Sequence, residues 1–453
     1  MRKNLIHVGL LVLVLMAAAG AQSAPAAPQD SNRESQQHSG AHDQMPAMSS
    51  HEMNMAEKPK GFLQAIQQHS TSGTSAEPDS APMPMLMTMK GRWMLMFHGE
   101  AFLNAVQQSG GRGADKIFST NWLMPMAQTQ LGPGTFTARV MLSLEPATVT
   151  HRYYPELFQQ GETAFGRPII DGQHPHDFVM EVAALYDLKV GAQSLLSFYF
   201  APVGDPAMGP TAYPHRASAS ENPMAPLGHH LEDSTHIADD VITGGFAYKM
   251  ARIEASGFHG REPDEFRWDI DSGKIDSWSL RATVNAAPNW SAQYSFAHLT
   301  SPEALHPGED IQRMTASVMY NRPLLRGNWA STLLWGRNRS LENGLAWNGY
   351  LAESTLRFKE RNYLWGRIEN VDRTSELLLR GSALPGSPES VLGRVQAYTA
   401  GYERDLRLVR HLATGIGTQF TLYSTPASLQ GTYGTHPVGG LIFLRLRPFG
   451  NER

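Results

Sequence analysis

The chain of 453 residues contains no cysteine, which excludes both a disulfide framework and thiolate metal ligands. Charge is scarce: Asp, Glu, Lys and Arg make up 18% of residues, against about 25% in soluble domains. The 38 basic and 42 acidic residues leave a net charge of -4, and no long basic run offers a footprint for nucleic acid. Beyond the amino terminus no window approaches the roughly 18 consecutive apolar residues that a spanning helix needs. G-x-S-x-G, H-E-x-x-H, P-loop and dinucleotide fingerprints are all missing. What is plentiful is methionine and histidine, with 21 and 18 residues. Ten of the methionines lie between Met45 and Met96.

Arg2 and Lys3 precede the apolar run Leu5–Met16, and Ala19-Gly20-Ala21 supplies small residues for cleavage. This pattern predicts a secretory signal peptide over residues 1–21. Residues 22–84 are rich in Ala, Pro, Ser, Gln and His without sustained periodicity. Such a stretch buries too little apolar surface to offset chain entropy and is expected to be a disordered tail. A brief helix around Phe62, Leu63 and Ile66 is the one exception.

From Met85 the texture changes to extended runs of 9–13 residues joined by turn chemistry. Trp278–Ala286 with Trp290–His298, Arg313–Tyr320 with Asn328–Gly336, Ser354–Phe358 with Asn362–Glu369, and Val395–Glu403 with Ala413–Tyr423 read as hairpins. Alternation within them is informative. Leu364, Gly366 and Ile368 oppose Tyr363, Trp365, Arg367 and Glu369, while Ile442, Leu444 and Leu446 oppose Phe443, Arg445 and Arg447. An unpaired charge in a sandwich core costs several kcal/mol, whereas polar residues are expected to line a lumen whose outer face meets lipid. Short turns (285–289, 321–327, 359–361) alternate with long connections (259–273, 300–309, 337–346, 371–391, 424–437), as on the two rims of an outer-membrane barrel. Trp290, Tyr320, Trp329, Trp335, Tyr363 and Trp365 are expected to form aromatic girdles. No blade-length repeat supports a propeller. The expectation is an all-β chain: an antiparallel transmembrane β-barrel of about 16 strands (14–18) over residues 85–449.

Four groups of residues carry candidate chemistry. The first is His38, His42, Met45, Met48, His51, Met53 and Met55, because thioether sulfur suits Cu(I) and imidazole suits Cu(II), Zn or Ni. The second is Met83, Met85, Met87 and Met89, whose period-two spacing puts them on one strand face. They read equally as apolar filler or as a thioether ladder, while Met94 and Met96 read as filler. The third is His174, His176 and Asp177 in the string Gly172-Gln173-His174-Pro175-His176-Asp177. The fourth is the long loop 204–240, with His215, His229, His230, Glu232, Asp233, His236, Asp239 and Asp240. If this loop folds inward, His229, His230 and His236 approach His174 and His176 and share an ion, with Asp177 or Asp233 orienting an imidazole.

By its barrel pattern the chain resembles outer-membrane β-barrel proteins. With the Met/His-rich stretch His38–Met55 it looks more narrowly like the outer-membrane copper-resistance proteins. The carboxyl terminus departs from the usual barrel ending in an aromatic residue, because Gly-Asn-Glu-Arg follows Phe449. The resemblance implies an outer-membrane protein of a Gram-negative-type bacterium with its tail in the periplasm. It implies contact with lipid and with the outer-membrane assembly machinery, and handling of a transition metal, foremost the copper ion. The alternatives are a general diffusion porin passing small solutes, or an outer-membrane hydrolase of the protease or lipase type using Asp239, Asp240 and His236.

Overall fold

The computed structural model describes residues 59–233, 238–379, 389–406, 408–409 and 411–448. The expected signal peptide and the cluster His38–Met55 lie outside these residues, as do His236 and Phe449 with the residues after it.

The alternation read from the sequence becomes one antiparallel sheet closed on itself. Its strands are β1 (Leu86–Lys90), β2 (Trp93–Gln108), β3 (Lys116–Leu131) and β4 (Gly134–Leu142). After a long loop carrying short ladders β5 (Tyr154–Pro155), β6 (Glu162–Ala164), β7 (Arg167–Ile169) and β8 (Gly172–Gln173), it resumes with β9 (Val179–Lys189) and β10 (Ser194–Gly204). Then come β11 (Ala238–Tyr248), β12 (Ala251–His259), β13 (Ser277–Ala287), β14 (Trp290–Leu299), β15 (Ile311–Leu324) and β16 (Gly327–Ser340). The last five are β17 (Ala346–Phe358), β18 (Asn362–Thr374), β19 (Val391–Asp405), β20 (Leu412–Ser424) and β21 (Val438–Pro448). Each pairs with the next, and β21 returns to β2 with Ala101 opposite Leu446 and Gln108 opposite Gly439, closing a sixteen-stranded barrel. β1 stands outside that count. It pairs with the start of β2, Leu86 opposite Phe97 and Lys90 opposite Trp93, on the edge that β21 leaves uncovered.

The two rims differ as expected. Turns at 91–92, 132–133, 249–250, 288–289, 325–326 and 359–361 share one rim, and connections at 143–178, 205–237, 260–276, 300–310, 375–390 and 425–437 share the other. By the usual asymmetry the short turns face the periplasm. One expected long connection is shorter: β16 and β17 pair as far as Arg339 and Ala346, leaving only 341–345 instead of 337–346. Pro323 likewise stays in β15 opposite Asn328, so the turn falls at 325–326. A proline without an amide hydrogen is tolerated at such a strand end.

Side chains sort by parity. Ile253, Leu333 and Ile442 point outward at 67%, 63% and 62% exposure, while Arg139, Arg445, Glu254 and Glu403 are buried inside. An apolar exterior around a polar interior is stable against lipid and not against water. Trp290, Tyr320 and Trp329 form a continuous outer girdle, with ring centroids 4.6 and 5.5 Å apart. Tyr363 and Trp365 do not join it. They share the inward parity of Arg367 and are buried, Trp365 Nε1 donating to Gln419 Oε1 at 3.1 Å and the Tyr363 hydroxyl to Asp405 at 3.2 Å.

Candidate functional site in the lumen

Two segments of the chain occupy the interior. The loop that follows Gly204 does not extend outward; it folds down among the charged residues of the wall. Its prolines at 206, 210, 214, 223 and 226 deny it long helices or ladders, so its backbone polar groups are satisfied by the barrel. Arg281 Nη1 donates to Gly209 O at 3.2 Å, Arg367 Nη1 to Met224 O at 3.1 Å, and Thr355 Oγ1 to Ser218 O at 2.7 Å. Arg216, fully buried, bridges Asp233 of the same loop at 2.9 Å and Glu353 of β17 at 2.7 Å. Glu221 pairs with Arg445 and with Arg447, the latter at 2.9 Å.

The second segment is residues 59–84. Where a disordered tail was expected, the chain forms a helix at Phe62–Gln68 and then a strap along the inner wall. Inward arginines compensate for its lack of a core. Arg139 donates to His69 O at 3.1 Å, Thr71 O at 2.6 Å and Gly73 O at 2.6 Å, and pairs with Glu181 at 2.7 Å. Arg252 donates to Thr74 O at 2.8 Å, Asn285 Nδ2 to Asp79 at 2.7 Å, and Asn321 Nδ2 to Ser80 O at 2.7 Å. His69 Nε2 meets Asp187 at 2.7 Å. Strap and loop touch where Ala217 N donates to Glu77 Oε2 at 3.4 Å. Beside them lies a cavity of about 1590 Å³ whose lining includes His98, Glu100, Trp122, His215, Tyr363 and Arg445.

On the long-loop side, three ligand-type side chains converge. Ladders β5–β8 fold the 143–178 loop so that Glu162 Oε1 lies 3.1 Å from His174 Nε2. The inward loop brings His230 Nδ1 to 3.5 Å from the same oxygen. One ligand atom from each lies within 4.8 Å of the others. His174 Nδ1 donates to Pro175 O at 2.8 Å, which leaves Nε2 as the lone-pair nitrogen of a neutral ring. Neither ring nitrogen of His230 has a hydrogen-bond partner, although both are buried. Burial pushes the His230 imidazole well below its ordinary 6.5, toward the neutral form. Burial alone would raise the Glu162 carboxyl, but His174, His230 and Arg267 outweigh it and hold it down to about 2.

The sequence placed His174 and His230 in one site, and they do meet. His176 and Asp177 do not: His176 Nδ1 and backbone N both reach Glu145 Oε2, at 3.0 and 2.8 Å, and Asp177 pairs with Arg267 at 3.2 Å. His229 turns to Asp233 at 2.6 Å. Glu162 was missed, because only the fold of the loop brings it to His174 and no spacing in the sequence announces it. Asp240 accepts from Gly273 N at 2.9 Å at the rim, away from a nucleophile or base of the kind a hydrolase needs.

The period-two methionines divide. Met85 is fully buried and Met83 and Met87 are partly buried in the lumen, while Met89 is 48% exposed. Met94 and Met96, expected as lipid-facing filler, join the same interior cluster with Met124, Met126, Met141 and Met180.

No protein-family model matches the sequence, and neither does any curated protein. Among solved structures the barrel is similar to OmpT with loop L8 deleted, an outer membrane protein of Vibrio cholerae, at 9% identity and TM-score 0.46 over 79% of this chain and 99% of that one. It is similar to the anion-selective porin from Comamonas acidovorans at 10% identity and TM-score 0.48, over 78% and 99%. OmpF of Salmonella typhi, in complex with daunomycin, gives 9% and 0.48 over 80% and 99%. The closed ladder, apolar exterior and unequal rims of this chain itself make it a membrane-spanning β-barrel of the outer-membrane type.

Proposed function

We propose that the protein is an outer-membrane channel for small solutes whose own loop narrows the passage, making it a selective relative of the diffusion porins. One observation carries this reading. The segment 205–233 is seated in the lumen through paired charges on both partners, leaving a polar cavity beside it rather than a free bore. A sealed structural barrel has no use for a cavity lined by Glu100, Tyr363 and Arg445. The test is single-channel conductance of the full chain in a planar bilayer. Small, ion-selective steps are expected, and they should enlarge when Arg216 is replaced. Wide, unselective conductance in the wild type would favour an open pore, and complete silence in both proteins would exclude a channel.

A second reading, transition-metal handling, is favoured by Glu162, His174 and His230. Imidazole nitrogen with one carboxylate suits Zn(II), Ni(II) or Cu(II), and an orphaned buried imidazole beside them is the feature that a missing ligand would explain. Such an ion would tie the 143–178 loop to the inward loop. Copper in particular rests on the stretch His38–Met55. A peptide of that span should prefer Cu(I) to Zn(II), and replacing Met45, Met48, Met53 and Met55 with Leu should remove the preference.

A further inference from the structure

The interior methionine cluster has a polar side that packing does not account for. Cross-strand partners in an antiparallel pair share a face, and here the pairs are Met96 with Met126 and His98 with Met124, all directed into the lumen. Met141 of β4 packs into the same group, and His215 descends from the inward loop until its Nε2 lies 3.3 Å from the Met141 sulfur. The His98 and His215 rings are 5.7 Å apart, and Trp122 lies 5.0 and 4.2 Å from them. His98 is buried, yet its Nε2 has no hydrogen-bond partner. Nine of the 21 methionines belong to this one cluster. Methionine is a flexible filler that specifies a core poorly, so packing alone explains neither the concentration of sulfur nor an imidazole nitrogen left unsatisfied among it.

We propose that Met124, Met141, His98 and His215 form a binding site for a soft monovalent cation, Cu(I) or Ag(I), on the lumen wall. Thioether and imidazole are the donors that such ions select. All four are neutral as ligands, and the nearest full charges, Arg139 and Glu181, neutralise each other at 2.7 Å. A neutral soft set beside a compensated pair offers little to a hard divalent ion. Access comes from the cavity, whose lining includes His98, Trp122 and His215. The site shares no residue with Glu162, His174 and His230, and it stands whether or not the barrel conducts.

The probe is Ag(I), which binds without redox chemistry, added to the folded full chain in detergent. Heat-shifted gel mobility verifies folding of every variant. Two readouts separate this site from the amino-terminal methionines: bound silver per chain, and the Trp122 fluorescence obtained by subtracting the signal of Trp122→Phe. Silver is expected to quench Trp122, and Zn(II) is not. The double variant Met124→Leu/Met141→Leu conserves volume and should lose one equivalent of silver together with the quenching. His98→Leu should do the same, and serves if the double variant does not fold. Unchanged Trp122 fluorescence in the wild type at saturating silver would overturn the proposal without any variant. So would a folded double variant that keeps both the equivalent and the quenching. Loss of conductance in the bilayer experiment, with silver binding intact, would count against the channel alone.

Discussion

The inward loop and the amino-terminal strap lie against the same wall, yet they are held by different parts of the chain. The loop contributes its own Arg216, Glu221 and Asp233 to pairs with β17 and β21. The strap contributes mainly carbonyl oxygens, those of His69, Thr71, Gly73 and Thr74, to arginines that belong to the barrel. Every residue has a carbonyl, so the strap's hold is indifferent to most of its own side chains. The loop's hold depends on specific charges at both ends. One device tolerates sequence change in the guest and the other does not.

The largest effect should follow from Arg216→Ala, which strands Asp233 and Glu353 in the interior. Breaking one side of a buried pair costs about 3–5 kcal/mol, enough to release the loop. Protease cleavage within 205–233 of the folded barrel, together with larger conductance steps, is the expected result. If the loop stays protected, the charge pairs are not what seats it.

Arg139→Leu comes next. It removes three bonds to strap carbonyls and leaves Glu181 without its partner. Hydrogen bonds involving a charged group contribute about 1.5–3 kcal/mol each, so residues 69–74 should become cleavable while β2 to β21 remain closed. Thr71→Ala within the strap should cost only about 0.5–1.5 kcal/mol. Equal sensitivity of host and guest would erase the distinction drawn above.

His230→Ala tests the place where the inward loop meets its neighbour. Outer-shell changes at metal sites cost about 10–100-fold in affinity, and a direct ligand should cost no less. Equilibrium dialysis with Zn(II) would show this loss while the His176→Ala barrel binds normally, because His176 serves Glu145. A larger effect of His176 would mean that the loop rearranges around the ion.

The smallest effect concerns the contact between the two segments. Burial pushes the Glu77 carboxyl up to about 7, although the Ala217 N–H and the Arg216 charge favour its ionised form. A carboxyl raised in the folded state binds its proton more tightly there than in the released strap. Docking is therefore strongest below the ordinary value of 4.5 and weakens as pH rises toward 7. Hydrogen exchange of the strap amides, corrected for intrinsic rate, should show more protection at about pH 5 than at about pH 8. Glu77→Gln should flatten that difference.

The barrel was legible because parity is local. Leu364 and Ile368 against Arg367 and Glu369 state which face meets lipid before any partner strand is known. The same parity already placed Tyr363 and Trp365 inside, and the girdle expectation failed where it set aromatic content above it. Occupation of the lumen was not legible over 59–84, because the arginines that seat the strap lie from about 65 to over 200 residues away. The candidate site stands between these cases. His174 and His230 announced themselves by type, whereas Glu162 is an ordinary loop glutamate until the 143–178 loop folds.

β1 continues the line of β21 along the edge of β2, which makes the seam of the barrel a joint of three strands from both parts of the chain. Without β1, the amides and carbonyls of residues 93–97 on that edge would stand as an exposed template for a foreign strand. Removing residues 86–90 should therefore turn a monomeric barrel into one that aggregates edge to edge in detergent. It also fixes an order of assembly. The strap leads directly into β1, so residues 59–84 have to be laid inside the curling sheet before β21 reaches β2. Circularisation traps its own leader.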